Sequence, residues 1–314
     1  MGNSISTLQK IYGDHISNDT LPLPRIIHVE TRAKCNGTCH FCPASALIDK
    51  RQDVYMPDEL INKILDELHD LDYSNRVSFY NNNEPFLDGR IYDIVKMSRE
   101  KLPKAYLELK SNGRLLSLEK VIRIFNAGLD MLYINDYGDG KIHSKNIQNL
   151  VNELKKIRRF KGHFEGDTYF NRIQVNLRKI DAILGTKGGT SPNKVFVGSP
   201  MRKVCFRPFE MMTINPQGDV SICSNDFHYA MSKWNVNKMK LIDVWHSADW
   251  NDLRVKLLKG DRGCSSECAK CDYVGYTQEM LKEHGLRDDT IDVSLKRIMI
   301  KTYNAIHERF QKNE

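Results

Sequence analysis

Apolar positions along residues 25–178 switch repeatedly between two patterns. Short apolar runs at Ile26–Glu30, Val77–Tyr80, Ala105–Leu109, Met131–Asn135 and Ile173–Leu177 read as strands. Between the first two, Leu60, Ile61, Ile64, Leu65 and Leu68 recur at helical spacing within Pro57–Leu71. Pro57, Asp58 and Glu59 suit the positive first turn of that helix. Further helices are predicted over Arg90–Lys101, Ser117–Ala127 and Lys145–Phe160. Repeated strand–helix units predict an α/β fold with a parallel sheet and helices outside it. Five or six units are too few for a closed eight-fold barrel, so the pattern fits a partial (β/α)6, TIM-like barrel. Its site would lie at the C-terminal ends of the strands, where the βα loops gather.

After Gly185 the pattern changes. Gly185–Pro192 is a glycine-rich loop, either a boundary or an active-site loop, and from Lys203 a small cysteine-containing module begins. Within it, Asn215-Pro-Gln-Gly218 suits a type I turn, with Pro second and Gly fourth. That turn would fold Met211–Ile214 and Asp219–Cys223 into a hairpin and return Cys223 towards Cys205. Tyr276–Glu314 reads as helical and charged, a terminal helix packed back onto the barrel. The expected organisation is an N-terminal extension (1–24), a barrel (25–195), a hairpin-and-helix module (196–275) and a helical extension (276–314).

Charge narrows the partners. The 47 basic and 40 acidic residues give a net +7 on 314 residues, spread rather than gathered into one field. The local run Lys155–Lys161 reads as a solvated helix end or a contact for an acidic substrate or leader peptide. Nothing in this distribution calls for a nucleic-acid partner. No apolar run approaches the ~20 residues of a membrane span, and the basic-then-apolar profile of a signal peptide is missing. The Met1–Ser6 stretch matches a myristoylation pattern, but such short patterns recur by chance. The expected setting is cytoplasmic, without a membrane partner. Eight cysteines, clustered in a chain of this size, favour metal ligation in a reducing compartment over disulfides.

The first cluster is Cys35-Asn-Gly-Thr-Cys39-His-Phe-Cys42, directly after the first predicted strand. Three thiolates at this spacing can hold three irons of a [4Fe–4S] cube and leave the fourth open to a small chelating molecule. A cluster that only carries electrons is normally held by four. A zinc knot or three buried thiols is the plain alternative. With Phe41 before the last cysteine, this motif resembles the signature of the radical S-adenosylmethionine (radical SAM) superfamily. The resemblance implies that Cys35, Cys39 and Cys42 hold the cluster and that S-adenosylmethionine binds its open iron. It also implies the partial-barrel fold. In Asn82-Asn83-Glu84-Pro85 the family's Gly-Gly-Glu-Pro is matched at Glu84 and Pro85, and two asparagines replace the glycines. The resemblance makes Phe41, Asn82, Asn83 and Glu84 cofactor-binding candidates, with Ser111 and Asn112 of the third junction beside them. Asp136 and Arg178, at the fourth and fifth junctions, are candidates for substrate or cofactor contact and for catalysis.

Cys205, twelve residues, Gly218, four residues and Cys223, then Cys268-Ala-Lys-Cys271, resemble the SPASM/Twitch extension of that superfamily. Because no cysteine follows Cys271, the shorter Twitch form is expected. Cys205, Cys223, Cys268 and Cys271 would then hold one auxiliary [4Fe–4S] cluster, with a four-cysteine zinc site as the competing reading. Cys264 is left over, as an alternative ligand, a buried residue or a hydrogen-atom donor. The resemblance implies an enzyme that cleaves S-adenosylmethionine to a 5′-deoxyadenosyl radical and abstracts a substrate hydrogen. The expected reaction is dehydrogenation or epimerisation of a sugar or aminocyclitol. Peptide modification, by epimerisation or thioether formation, and a non-catalytic metal-binding module are the alternatives. A small-molecule or peptide substrate and an electron donor such as flavodoxin or ferredoxin complete the expected partners.

Overall fold

A computed structural model describes residues 23–157, 168–170 and 172–274. Most of the expected N-terminal extension, the basic residues Arg158–Lys161 and the predicted Tyr276–Glu314 helix lie outside the described residues.

Each predicted strand and helix in the first half is present. The strands are β1 (Ile26–Val29), β2 (Arg76–Ser78), β3 (Tyr106–Ser111), β4 (Met131–Gly138), β5 (Thr168–Phe170) and β6 (Ile173–Lys179). Four helices intervene: α1 (Asp58–Asp70), α2 (Ile91–Lys101), α3 (Leu118–Asn126) and α4 (Lys145–Leu154). The five apolar residues read from α1 are its five buried ones. Ser117 caps α3, its side chain accepting from the Lys120 N–H. The fourth helix stops at Leu154, short of the predicted end at Phe160.

The sheet has nine strands in the order β5-β6-β4-β3-β2-β1-β7-β8-β9. Six neighbours, β7-β1-β2-β3-β4-β6, pair in parallel. The sixth parallel strand does not come from the expected barrel segment. It is β7 (Met211–Ile214), the first strand of the cysteine module, in register Ile26↔Met211 to Val29↔Ile214. Without it the edge of β1 would present unpaired backbone groups. Glu30 N–H donates to Ile214 O at 2.9 Å and continues the pairing beyond β1. β5, a short antiparallel edge strand, was not predicted.

Period-two alternation then sorts the side chains. Val77, Phe79, Leu107, Leu109, Leu132, Ile134, Ile173 and Val175 join the core beneath the helices. The alternate positions carry His28, Arg76, Tyr80, Lys110, Asn135 and Tyr137, which line a cavity on the opposite face. That inner face is a polar site rather than a packed barrel core.

β7 turns at Asn215–Gly218 into β8 (Asp219–Ser221), antiparallel as predicted, followed by β9 (Trp234–Asn235). Helices α5 (Arg207–Glu210), α6 (Leu241–Trp245), α7 (Ala248–Leu258) and α8 (Ser266–Ala269), of which only α7 exceeds five residues, complete the module. Its centre is the buried Arg254, stacked on Trp245 at 4.2 Å. Its guanidinium donates to Pro208 O, Trp245 O and Asn251 Oδ1.

Candidate active site

The loop after β1 carries the first three cysteines, and neighbouring βα loops hold it in place. His40 N–H donates to Ile180 O at 2.9 Å, beyond β6. Arg114 reaches across to Asn36 O and Thr38 Oγ1, both at 2.9 Å, while Asn112 Nδ2 donates to Asn36 Oδ1 at 2.8 Å. Arg114 was not singled out from the sequence, although it directly follows the Ser-Asn-Gly junction.

Cys35, Cys39, Cys42 and Phe41 line a cavity of about 370 Å³, together with Asn82, Asn83, Glu84, Ser111 and Asn112. Every cofactor-binding candidate except Arg178 is therefore in one place. Burial pushes the Cys35 thiol up to about 11 and Cys39 up to about 12. Opposing that, Gly37 N–H and Asn112 Nδ2 point at Cys35 Sγ, at 3.2 and 3.8 Å. Phe41 tilts against Tyr137 with ring centres 5.7 Å apart.

Glu84 is buried and anchored at three points. It accepts from Ser111 Oγ at 2.8 Å, Asn112 N–H at 2.7 Å and Phe86 N–H at 3.2 Å. Its carboxylate and the Ser111 hydroxyl thus tie the second junction to the third. Burial raises Glu84 to about 7 against those hydrogen bonds. The amide nitrogens of Asn82 and Asn83 are buried and have no partner among the described residues. Arg51, also missed in the sequence, donates to Asn82 O at 2.6 Å and to Glu30 at 2.9 Å. Its guanidinium lies 4.4 Å over the Phe227 ring of the module.

His28 lines the same cavity. Its Nδ1 is 2.9 Å from Tyr80 O, so Nδ1 carries the proton and Nε2 is left as an acceptor. Burial, then Arg76, Lys110 and Arg207, depress it to about 3, and the imidazole is neutral.

The fold sets Asp136 and Arg178 apart from the other candidates. Asp136 points into the layer of α4, where its carboxylate accepts from Ser144 N–H at 2.7 Å and meets His143 Nδ1 at 3.0 Å. Alternation on β4 turns it away from Asn135 and Tyr137, which do line the cavity. Arg178 is exposed near the end of β6, donates to Leu177 O, and is not among the cavity's lining residues.

A second cavity is lined by Cys205, Cys223, Cys268 and Cys271. The predicted hairpin brings Cys223 to Cys205, and α8 presents Cys268. Asn225 N–H lies 3.3 Å from Cys223 Sγ, and Asn225 Nδ2 and Tyr273 N–H lie 3.7 and 3.4 Å from Cys271 Sγ. Burial raises Cys205 to about 12 and Cys223 to about 11. Cys264 lines neither cavity. It interacts instead with Cys268, which lowers its pKa and raises that of Cys268. Arg207 lines both cavities and is the side chain they share.

Residues 29–165 match the radical SAM superfamily, and residues 205–272 match the SPASM iron–sulfur cluster-binding domain. The chain belongs to the radical SAM superfamily and carries a C-terminal SPASM domain. It is a radical SAM enzyme, with the radical SAM [4Fe–4S] cluster and an auxiliary cluster as its iron–sulfur cofactors. It is 25% identical over 255 residues to the S-adenosyl-L-methionine-dependent 2-deoxy-scyllo-inosamine dehydrogenase of Niallia circulans, covering 81% of this chain and 95% of that one. In fold it resembles BtrN in complex with AdoMet and 2-DOIA, with a TM-score of 0.68 and 24% identity over 83% of this chain and 98% of that one. An open conformation of BtrN scores 0.59 at 22% identity, with the same coverage. Among the described residues no helix is long and apolar enough to cross a membrane.

Proposed function

We propose that this enzyme is a dehydrogenase that oxidises a secondary alcohol of a hydroxylated ring to a ketone. The observation that carries the reading is Arg207, one side chain bordering both the three-cysteine cavity and the four-cysteine cavity. Oxidation of an alcohol radical needs an electron acceptor close to the substrate, and the second cysteine set lies next door. The named activity of the Niallia circulans relative supports the same reaction class.

In this proposal Cys35, Cys39 and Cys42 hold the first cluster, and Cys205, Cys223, Cys268 and Cys271 hold the auxiliary one. The N–H groups aimed at Cys35, Cys223 and Cys271 fit thiolate ligands, which such hydrogen bonds stabilise. The match of residues 205–272 to an iron–sulfur cluster-binding domain supports a cluster over a zinc ion at the second set. When bound and reduced, the first cluster with S-adenosylmethionine supplies a 5′-deoxyadenosyl radical. The protein's own part is positioning. Asn82 and Asn83 offer unspent amide donors to the methionine moiety, and Glu84 holds their turn against β3. Neutral His28 offers Nε2 to the substrate hydroxyl that becomes the carbonyl. We further propose a small electron-transfer protein as reductant and a cytoplasmic setting.

Epimerisation would need a hydrogen donor in the cavity. Its thiols are those of the cluster loop alone, and Cys264 lies outside it. The test uses anaerobically reconstituted protein with polyol substrates. Expected are about eight irons per chain, deoxyadenosine and ketone in equal amounts, and an undiminished yield from Cys264→Ala. Solvent deuterium at product carbon, lost in Cys264→Ala, would overturn dehydrogenation in favour of epimerisation.

A further inference from the structure

We infer that the substrate carries an anionic group, a carboxylate or a phosphate ester, held by Lys110 and Lys187 on the wall of the active-site cavity. The inference rests on the dehydrogenase reading and adds the substrate's charge class.

The charges that line the cavity do not balance. Arg76, Lys110, Lys187 and Arg207 face a single carboxylate, Glu84, whose oxygens already accept three hydrogen bonds from the chain. Arg76 is taken by Glu108 at 3.0 Å, and Tyr80 Oη donates to the same carboxylate at 2.7 Å. Arg207 is turned towards the module. Its guanidinium lies 4.5 Å over the Tyr273 ring and borders the four-cysteine cavity. Lys110 and Lys187 remain, and neither makes an ion pair among the described residues.

Both lysines are built into the wall rather than waving from the surface. Lys110 projects from near the C-terminal end of β3 between the rings of Tyr80 and Tyr133, 5.1 and 5.4 Å from their centres. Burial holds its pKa below the usual lysine range. Glu108 works the other way, and Arg76, Lys187 and Arg178 add to the depression. A bound anion would relieve that mutual repulsion. Lys187 sits in the glycine-rich loop with a left-handed backbone, φ 51°. This conformation costs a non-glycine residue of order 1 kcal/mol and persists only where the surroundings impose it. Here Thr186 is tied to Lys270 O at 2.7 Å and to Asp272 Oδ1 at 2.8 Å, and Gly188 borders the second cavity. The module thereby turns Lys187 into the active-site cavity.

Neither cofactor supplies the missing charge, because the net negative charge of a cluster held by the Cys35, Cys39 and Cys42 thiolates is offset by the sulfonium and amino groups of S-adenosylmethionine, which outnumber its one carboxylate. An inosamine, the substrate class in the relative's name, is an amine and adds a further cation. Facing two uncompensated lysines, a hydroxylated ring bearing an acid or a phosphate is favoured over one bearing an amine.

The test is calorimetric titration of anaerobically reconstituted holoenzyme, with S-adenosylmethionine bound, by acetate and by inorganic phosphate. The variants are Lys110→Met and Lys187→Met, the second on a loop and safe for folding. At least one anion should bind the wild type and bind about tenfold or more weakly in each variant, with unchanged affinity for S-adenosylmethionine. Which anion binds separates the carboxylate source from the phosphate source. Binding of neither, binding unaltered in the variants, or variants that lose S-adenosylmethionine instead would overturn the proposal. A matched set of amino, acidic and phosphorylated polyols is then assayed for ketone. Preference for the amine would sink the anionic substrate and leave dehydrogenation standing. Deoxyadenosine without ketone from any of them, alongside intact anion binding, would sink dehydrogenation alone.

Discussion

Asn82 and Asn83 stand where glycines are expected, and the replacement changes what the turn can do. A glycine offers only backbone, whereas these amides are buried with unspent donors in the cavity. Asn82→Ala and Asn83→Ala should each weaken S-adenosylmethionine binding about tenfold, the size of one hydrogen bond to a charged group. Equilibrium binding to the reconstituted enzyme checks this. Glu30 gives a pH prediction. Burial raises it to about 7, against the pull of Arg51, and its Oε2 has no partner among the described residues. A carboxyl whose pKa is raised on folding binds its proton more tightly in the folded state. Its stabilising contribution is full below the ordinary carboxyl range and is lost as pH rises through about 7. Wild-type stability should therefore fall relative to Glu30→Gln between roughly pH 4.5 and 7. Urea midpoints of both proteins across that range read it out, and parallel curves would refute it.

At the scale of elements, the β7–β8 hairpin depends on its turn. Gly218 has φ 85°, and an added Cβ would stand 2.5 Å from Asn237 Nδ2. Gly218→Ala should destabilise the protein by about 1–2 kcal/mol and lower the iron bound after reconstitution, because the hairpin sets Cys223 against Cys205. Thermal melts and iron analysis test the two effects together. The hairpin was legible because Asn-Pro-Gln-Gly is a local signal, with Asn215 Oδ1 accepting from Gln217 N–H and Asp219 N–H. The polar inner face was present in the same sequence, in the alternation Arg76-Val-Ser-Phe-Tyr80 and Tyr106-Leu-Glu108-Leu-Lys110. Read as apolar runs, those strands hid His28, Tyr80 and Lys110. Which alternate set faces helices and which faces a cavity is a property of the packed sheet.

For the whole molecule, β7 makes barrel and module parts of one sheet. All three tryptophans, Trp234, Trp245 and Trp250, lie in the module, while most of the described helix, α1 to α4, belongs to the barrel. Tryptophan fluorescence and far-ultraviolet dichroism should then follow one denaturation curve. Arg254→Met strips hydrogen bonds from Pro208 O, Trp245 O and Asn251, and should shift that curve by about 2–4 kcal/mol without splitting it. Two separate transitions would show that the shared strand does not couple the halves. The sequence alone determined the cysteine spacings, the strand–helix rhythm and the turn, because each depends on residues a few positions apart. It thereby determined the superfamily and both cysteine sets. Tertiary structure alone decided that β7 completes the parallel sheet and that Asp136 faces a helix rather than the site. It also decided that Arg207 lines both cavities and that Lys110 and Lys187 line the same one. These are relations between residues tens of positions apart, set by register, by the side of the sheet and by a strained loop, and no local pattern records them.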